Sequence, residues 1–143
     1  MKITDKLKEE HRKIRLTLNI LEVICNKIAK VEKINQDHLD QLMRFMKNYY
    51  DKCHHKKEEG VIFPATAREH IPGMDELVKT LLSDHYILHN TLRDVDEAIK
   101  KQMQVSEQVR YYILLLRQHA DLEGNKLCPL LDQYLTLKIQ HRI

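Results

Sequence analysis

The chain has 143 residues, of which 43% are apolar and 31% are charged, and its formal net charge is +3. This composition is typical of a single globular domain, which we place over residues 1–143, and it excludes a disordered chain. Lysine and arginine are scattered among aspartate and glutamate, so the charge gives no support for binding to nucleic acid or to a membrane surface.

The N-terminal segment predicts a helix with a histidine on its apolar face. Thr4 or Asp5 can cap the start of this helix. Its apolar stripe advances in alternate steps of four and three residues, as in a helix packed in a bundle. The positions on the stripe are Leu7, His11, Ile14, Leu18, Leu21, Cys25 and Ile28. We therefore expect the His11 side chain to lie in the core.

A polar loop over residues 31–37 is predicted to precede the second helix, with Asn35 or Asp37 as its cap. The second helix reaches Pro64, where we expect it to end or kink because proline lacks a backbone N–H. The connection that follows runs to Gly73. The apolar stripe of this helix is predicted to be Leu39, Leu42, Met46, Tyr49 and Cys53.

The third predicted helix begins near Met74 or Asp75 and carries two histidines four residues apart. His85 lies on the apolar stripe and His89 flanks it. Residues at this spacing share one face of a helix, with about 5–6 Å between their Cβ atoms. The pair can therefore hold one metal ion between them.

The fourth predicted helix follows a loop over residues 102–106, contains His119 and Glu123, and meets Pro129. A last amphipathic piece is expected over residues 130–137. Four helices with short connections predict an all-α fold, an up-down-up-down antiparallel four-helix bundle with a short C-terminal helical extension.

The second and fourth helices end on the same motif. His54 precedes Glu58 by four residues and Pro64 by ten, and His119 stands in the same relation to Glu123 and Pro129. The neighbouring pair, His55 with Glu59, has the same spacing but does not match the proline.

The helical wheel favours the same register on the second helix. At about 100° per residue, His54 lies roughly 90° from the centre of the core face, and His55 lies close to the opposite side. We predict that His54 and Glu58 point inward and that His55 and Glu59 face solvent. The register in which His55 and Glu59 point inward is the alternative.

The predicted inward side chains form a set of metal ligands. Imidazoles and carboxylates suit transition metals. A single histidine on an apolar stripe is more often a core residue, but this many on four helices make chance a poor explanation. Seven ligands exceed a tetrahedral zinc site or one octahedral ion, whereas two metals that share two bridging glutamates fit. The set is His11, His54, Glu58, His85, His89, His119 and Glu123.

These residues resemble the hemerythrin-like, or HHE cation-binding, family over about residues 4–137. The matching segments are Glu10-His11, His54 to Glu58 with Phe63-Pro64 behind it, Asp84-His85 to His89, and His119 to Glu123. The resemblance implies two non-haem iron ions with a bridging oxo or hydroxo group. By family role, one iron would be bound by His85, His89 and His119. The other would be bound by His11 and His54, with Glu58 and Glu123 as bridges.

The last motif departs from that of the oxygen-carrying hemerythrins, which have His-x-x-x-x-Asp. Here Gly124 is the fifth residue after His119, and Glu123 at the fourth position takes the place of the aspartate. This variant is similar to microbial hemerythrin-like proteins, including iron–sulfur repair di-iron proteins and peroxide-reactive members. Simple reversible oxygen carriage is therefore not the function that the resemblance favours.

The resemblance implies a protein that binds or senses a small ligand, O2, NO or H2O2. Two other classes of function are compatible with the same kind of site. One is a di-iron enzyme in peroxide or NO detoxification or in iron–sulfur cluster repair, and the other is an iron storage or homeostasis protein. Sensing would require a protein partner that the residues do not identify. The chain has neither the apolar core of a signal peptide nor a run of membrane-span length, so we expect a cytoplasmic protein.

Overall fold

Residues 2–143 fold into four long helices and one short helix. The computed structural model describes residues 2–143, and no strand occurs among them. The all-α prediction is confirmed. The helices are α1 (Ile3–Ala29), α2 (residues 36–68), α3 (Met74–Lys101), α4 (residues 105–134) and α5 (Leu137–Arg142).

Two of the long helices change their winding along their length. Helix α2 is π-helical over Met46–His54 and Glu58–Ile62, and α4 is π-helical over Glu123–Leu127. The remaining segments are α-helical. They are Gln36–Phe45, His55–Lys57 and Phe63–Arg68 in α2, and Val105–Leu122 and Cys128–Tyr134 in α4.

The helix starts agree only in part with the sequence signals. The Asn35 side chain accepts hydrogen bonds from the N–H groups of Asp37 and His38, so the predicted cap of α2 is confirmed. Helix α1 begins at Ile3, one residue before the predicted Thr4 cap. The Thr4 hydroxyl instead donates to the Asp132 carboxylate at 2.7 Å, and this hydrogen bond connects the start of α1 to the last turns of α4.

The helices do not end at their prolines. Helix α2 continues through Pro64 to Arg68, and α4 continues through Pro129 to Tyr134, where we predicted a separate piece. A proline ring clashes with the carbonyl four residues earlier. A π turn, which is wider than an α-helical turn, lies just before each proline and leaves room for its ring. Of the two outcomes predicted at Pro64, an end of the helix was wrong.

Side-chain contacts fix how α1 lies against α4. Arg15 binds Asp121 at 2.8 Å, and Arg110 donates to Asn26 at 3.2 Å. As residue numbers rise along α1 they fall along α4, so these two helices run in opposite directions. None of the helices within residues 2–143 has the length and apolarity to cross a membrane.

The core consists of two apolar layers with a polar layer between them. Layer I contains Ile14, Leu18, Tyr50, Leu88 and Leu116, among others. Layer II contains Leu7, Ile62, Leu81 and Leu127, among others. Fully burying one such side chain stabilises the fold by about 1.5–3 kcal/mol. Each long helix therefore passes from one apolar layer to the other through a turn that carries histidine or glutamate, and the layers keep those turns in the interior.

Candidate metal centre

The polar layer brings together seven buried side chains from all four long helices. They form two groups in which the ligand atoms lie within 4.8 Å of one another. One group is His55, Glu58, His85 and His119, and the other is His11, His54 and Glu123. Six of these residues were predicted to point inward, and their burial is confirmed. The seventh, His55, was not.

His89 does not join the cluster. Its side chain is 63% exposed, and its Nδ1 lies 2.7 Å from the Asp51 carboxylate on the outside of the bundle. The prediction that His85 and His89 both point inward was wrong. The apolar neighbours of His85 along the helix, Leu81 and Leu88, are buried, so the core face of α3 passes through His85 and leaves His89 at its edge.

His55 occupies the interior instead. It is 3% exposed, and its ring stacks on that of His85 with 3.7 Å between ring centroids. The prediction that His55 faces solvent was wrong, whereas Glu59 is half exposed, as expected. His54 is also buried, so both members of the His54-His55 pair reach the centre, a case that neither predicted register included.

The winding of α2 explains this result. The His55 N–H donates to the Tyr50 carbonyl, five residues back rather than four. A π turn advances each residue by a smaller angle than an α-helical turn, so a wheel drawn at 100° per residue misplaces the later side chains. Within the π-helical segments of α2, every fourth residue is buried, from Met46 through Tyr50, His54 and Glu58 to Ile62, whereas the predicted core residues Tyr49 and Cys53 are not buried.

Both glutamates lie between the two groups. Glu58 Oε1 is 3.2 Å from His54 Nε2 and 3.4 Å from His85 Nε2. Glu123 Oε1 is 3.0 Å from His11 Nε2 and 3.4 Å from His119 Nε2. Each carboxylate thus contacts histidines of both groups, which is the arrangement expected of a bridging ligand.

The repeated motif has a structural basis at these glutamates. The Phe63 N–H donates to the Glu58 carbonyl, and the Cys128 N–H donates to the Glu123 carbonyl, five residues back in both cases. Each of these π turns ends just before a proline. The shared spacing from glutamate to proline therefore marks a π turn, and this turn places the glutamate carboxylate in the polar layer. Such π turns inside α-helices occur frequently at functional sites.

Carboxylates on the far side of three histidine rings from the cluster contact the outer nitrogens of those rings. Glu10 Oε1 lies 2.7 Å from His54 Nδ1, and Asp84 Oδ2 lies 3.0 Å from His119 Nδ1. Because the inner nitrogen of each ring faces the cluster, the outer contact fixes the orientation of the ring and would make that nitrogen a stronger donor to a metal ion. Asp51 makes a longer contact of the same kind, 3.7 Å, with His55 Nδ1.

Sequence reasoning did not assign these carboxylates, although a signal for two of them was present. Glu10 directly precedes His11, and Asp84 directly precedes His85. A residue next to a core position lies toward a neighbouring helix. Each carboxylate therefore contacts a histidine of the neighbouring helix, and not the histidine that follows it in the chain.

Burial keeps several of the imidazoles neutral. It lowers the pKa of His11 and that of His55 to about 4, and it also lowers the pKa of His119. Neutral imidazole is the form that binds a metal ion. These rings therefore need no deprotonation before they bind one at neutral pH.

His54 and Glu58 form an ion pair in the metal-free protein. Burial lowers the pKa of His54, but the carboxylates of Glu58 and Glu10 outweigh burial and raise it to about 9. Burial likewise opposes ionisation of Glu58, yet the imidazoles of His54 and His85 hold the pKa of Glu58 well below its ordinary range. A metal ion in this position would replace the proton on His54.

The donor atoms fit a metal centre. Buried polar atoms in native proteins nearly always have partners. Here several inward atoms have no hydrogen-bond partner within residues 2–143. They are Nε2 of His54, His55, His85 and His119, both carboxylate oxygens of Glu58, and Oε2 of Glu123. Close contacts such as that between His54 and Glu58 are not aligned as hydrogen bonds, so metal ions are the partners that this donor set suits.

The fold and the site define a metal-binding helical bundle. The hemerythrin HHE cation-binding domain family matches residues 2–131, which is most of the chain. The chain belongs to this family. No curated protein and no solved structure matches it significantly.

Proposed function

We propose that this chain is a non-haem di-iron protein that binds or senses a small ligand, O2, NO or H2O2, inside an up-down-up-down four-helix bundle. The observation that carries the proposal is the pair of buried ligand groups that share two glutamates. Family membership supports a cation, and imidazole with carboxylate suits iron.

The geometry favours a revised assignment of the ligands. His55, His85 and His119 would hold one iron, and His11 and His54 would hold the other. Glu58 and Glu123 would bridge the two irons, together with an oxo or hydroxo group. His55 takes the role that family membership assigns to His89.

The two irons would have unequal numbers of histidine ligands, three and two, and this difference supports the binding of a small ligand. With the three bridges, the first iron would have six ligands and the second would have five, and an open position is what distinguishes a reactive metal site from a closed one. Iron in such a site would supply a coordination position and a change of oxidation state. The burial of all seven side chains limits access to small ligands.

Metal analysis of protein isolated from iron-replete cells tests the proposal. We expect about two irons per chain and an optical spectrum that changes on addition of azide. One zinc ion per chain without iron would contradict it. Steady turnover of H2O2 or NO by the iron-loaded protein would assign the chain to the enzymes, and iron that does not respond to oxidants would favour storage.

A further inference from the structure

Tyr50 lies directly beside the two ligand groups. It is 1% exposed and belongs to apolar layer I, one turn before the histidine pair of α2. Its ring lies nearly parallel to that of His54, with 5.2 Å between centroids. It also packs against the His55 ring in an edge-to-face arrangement, with 4.3 Å between centroids. Tyr50 therefore touches one histidine of each group.

The Tyr50 hydroxyl is buried and has no hydrogen-bond partner anywhere in residues 2–143. A buried polar atom without a partner destabilises a fold, and phenylalanine would fill the same space without that loss. A phenol is neutral at neutral pH, because its ordinary pKa is about 10. The hydroxyl is therefore an unused neutral donor on a ring that contacts one histidine of each ligand group.

We propose that the Tyr50 hydroxyl donates a hydrogen bond to the small ligand that enters the metal centre. It would favour ligands with an accepting nitrogen or oxygen atom, such as azide or peroxide, over carbon monoxide, which accepts hydrogen bonds poorly. This inference rests on the proposed function, because it needs a ligand-binding metal centre. It adds the residue that selects among ligands.

The test compares Tyr50→Phe with Tyr49→Phe. Tyr49 is a matched control, because it is the preceding residue on the same helix and its ring stacks on Phe45 at 4.8 Å. Iron content is measured first. Azide affinity is then measured by optical titration, and the infrared stretching band of the bound azide is recorded in H2O and D2O.

We expect both variants to keep their iron. Azide affinity should fall about tenfold in Tyr50→Phe, which corresponds to one hydrogen bond, and should be unchanged in Tyr49→Phe. The azide band should shift in D2O in the wild type and in Tyr49→Phe, and should not shift in Tyr50→Phe. An iron-loaded Tyr50→Phe variant with unchanged azide affinity would overturn the inference and leave the proposed function standing. A wild-type protein that binds no iron would overturn both.

Two further readouts separate ligand binding from other roles of the hydroxyl. Thermal melts of the metal-free proteins should give Tyr50→Phe a midpoint equal to or above that of the wild type, since no partner is lost. A clearly lower midpoint would reveal a structural hydrogen bond and contradict the inference. A phenolate-to-iron absorption band that disappears in Tyr50→Phe would also contradict it, because Tyr50 would then be a metal ligand.

Discussion

Glu123 Oε1 on α4 lies 3.0 Å from His11 Nε2 on α1, although 112 residues separate the two in the chain. The same oxygen lies 3.4 Å from His119 on its own helix. One carboxylate thus connects the first helix of the bundle to the fourth through the polar layer. This contact is the basis for assigning Glu123 as a bridge.

Replacing Glu123 with alanine should reduce the iron content from about two per chain to one or none, because both irons of the proposed centre would lose a shared ligand. Elemental analysis of the purified variant measures this. Asp121→Asn is the control, since Asp121 is exposed on the same helix and binds Arg15. Two irons retained in Glu123→Ala would show that Glu58 bridges without it.

His55→Ala should lose iron, and His89→Ala should keep it, because only His55 lies in the cluster. The comparison is matched, since both rings contact Asp51. Iron content and the optical spectrum provide the measurement. Loss of iron in His89→Ala with retention in His55→Ala would restore the ligand set that the family pattern implies.

Glu10→Gln and Asp84→Asn should weaken metal binding by about 10–100-fold without abolishing it, because each removes a carboxylate that orients a ligand ring. Competition with a chelator of known affinity measures the change. Glu9→Gln is the control, since Glu9 binds the exposed Arg12 beside it. Equal affinities in all three variants would mean that the outer contacts do not affect the ligands.

The metal-free protein should be most stable near pH 6.5, the ordinary pKa of histidine. The folded-state pKa of His54 is raised to about 9, so its stabilising contribution is complete below pH 6.5 and is lost as pH rises through 9. The pKa values of His11 and His55 are lowered to about 4. Their contributions are present above pH 6.5 and are lost as pH falls through 4.

Urea unfolding of the metal-free protein between pH 4 and pH 9 tests this profile. We expect the midpoint to fall on both sides of its maximum. In His54→Gln the decline on the alkaline side should become shallower, whereas the decline on the acidic side should remain. A midpoint that rises steadily with pH would show that His54 is neutral in the fold.

The helical fold and most of the centre could be predicted from the residues, because they depend on regular spacing. Histidines His11, His85 and His119 replace apolar residues on stripes that repeat every three or four positions, and each is buried. The matched histidine, glutamate and proline spacings likewise located Glu58 and Glu123. At these three positions, all on α-helical segments, the apolar periodicity indicated burial correctly.

The choice among His54, His55 and His89 depended on the tertiary structure. A wheel drawn at 100° per residue cannot anticipate the π turns of α2, which bring both His54 and His55 to the centre. With His55 stacked on His85, His89 stays outside against Asp51. The support of His54 by Glu10 likewise appears only once the helices are packed, because it joins two helices whose relative rotation no single stretch of sequence specifies.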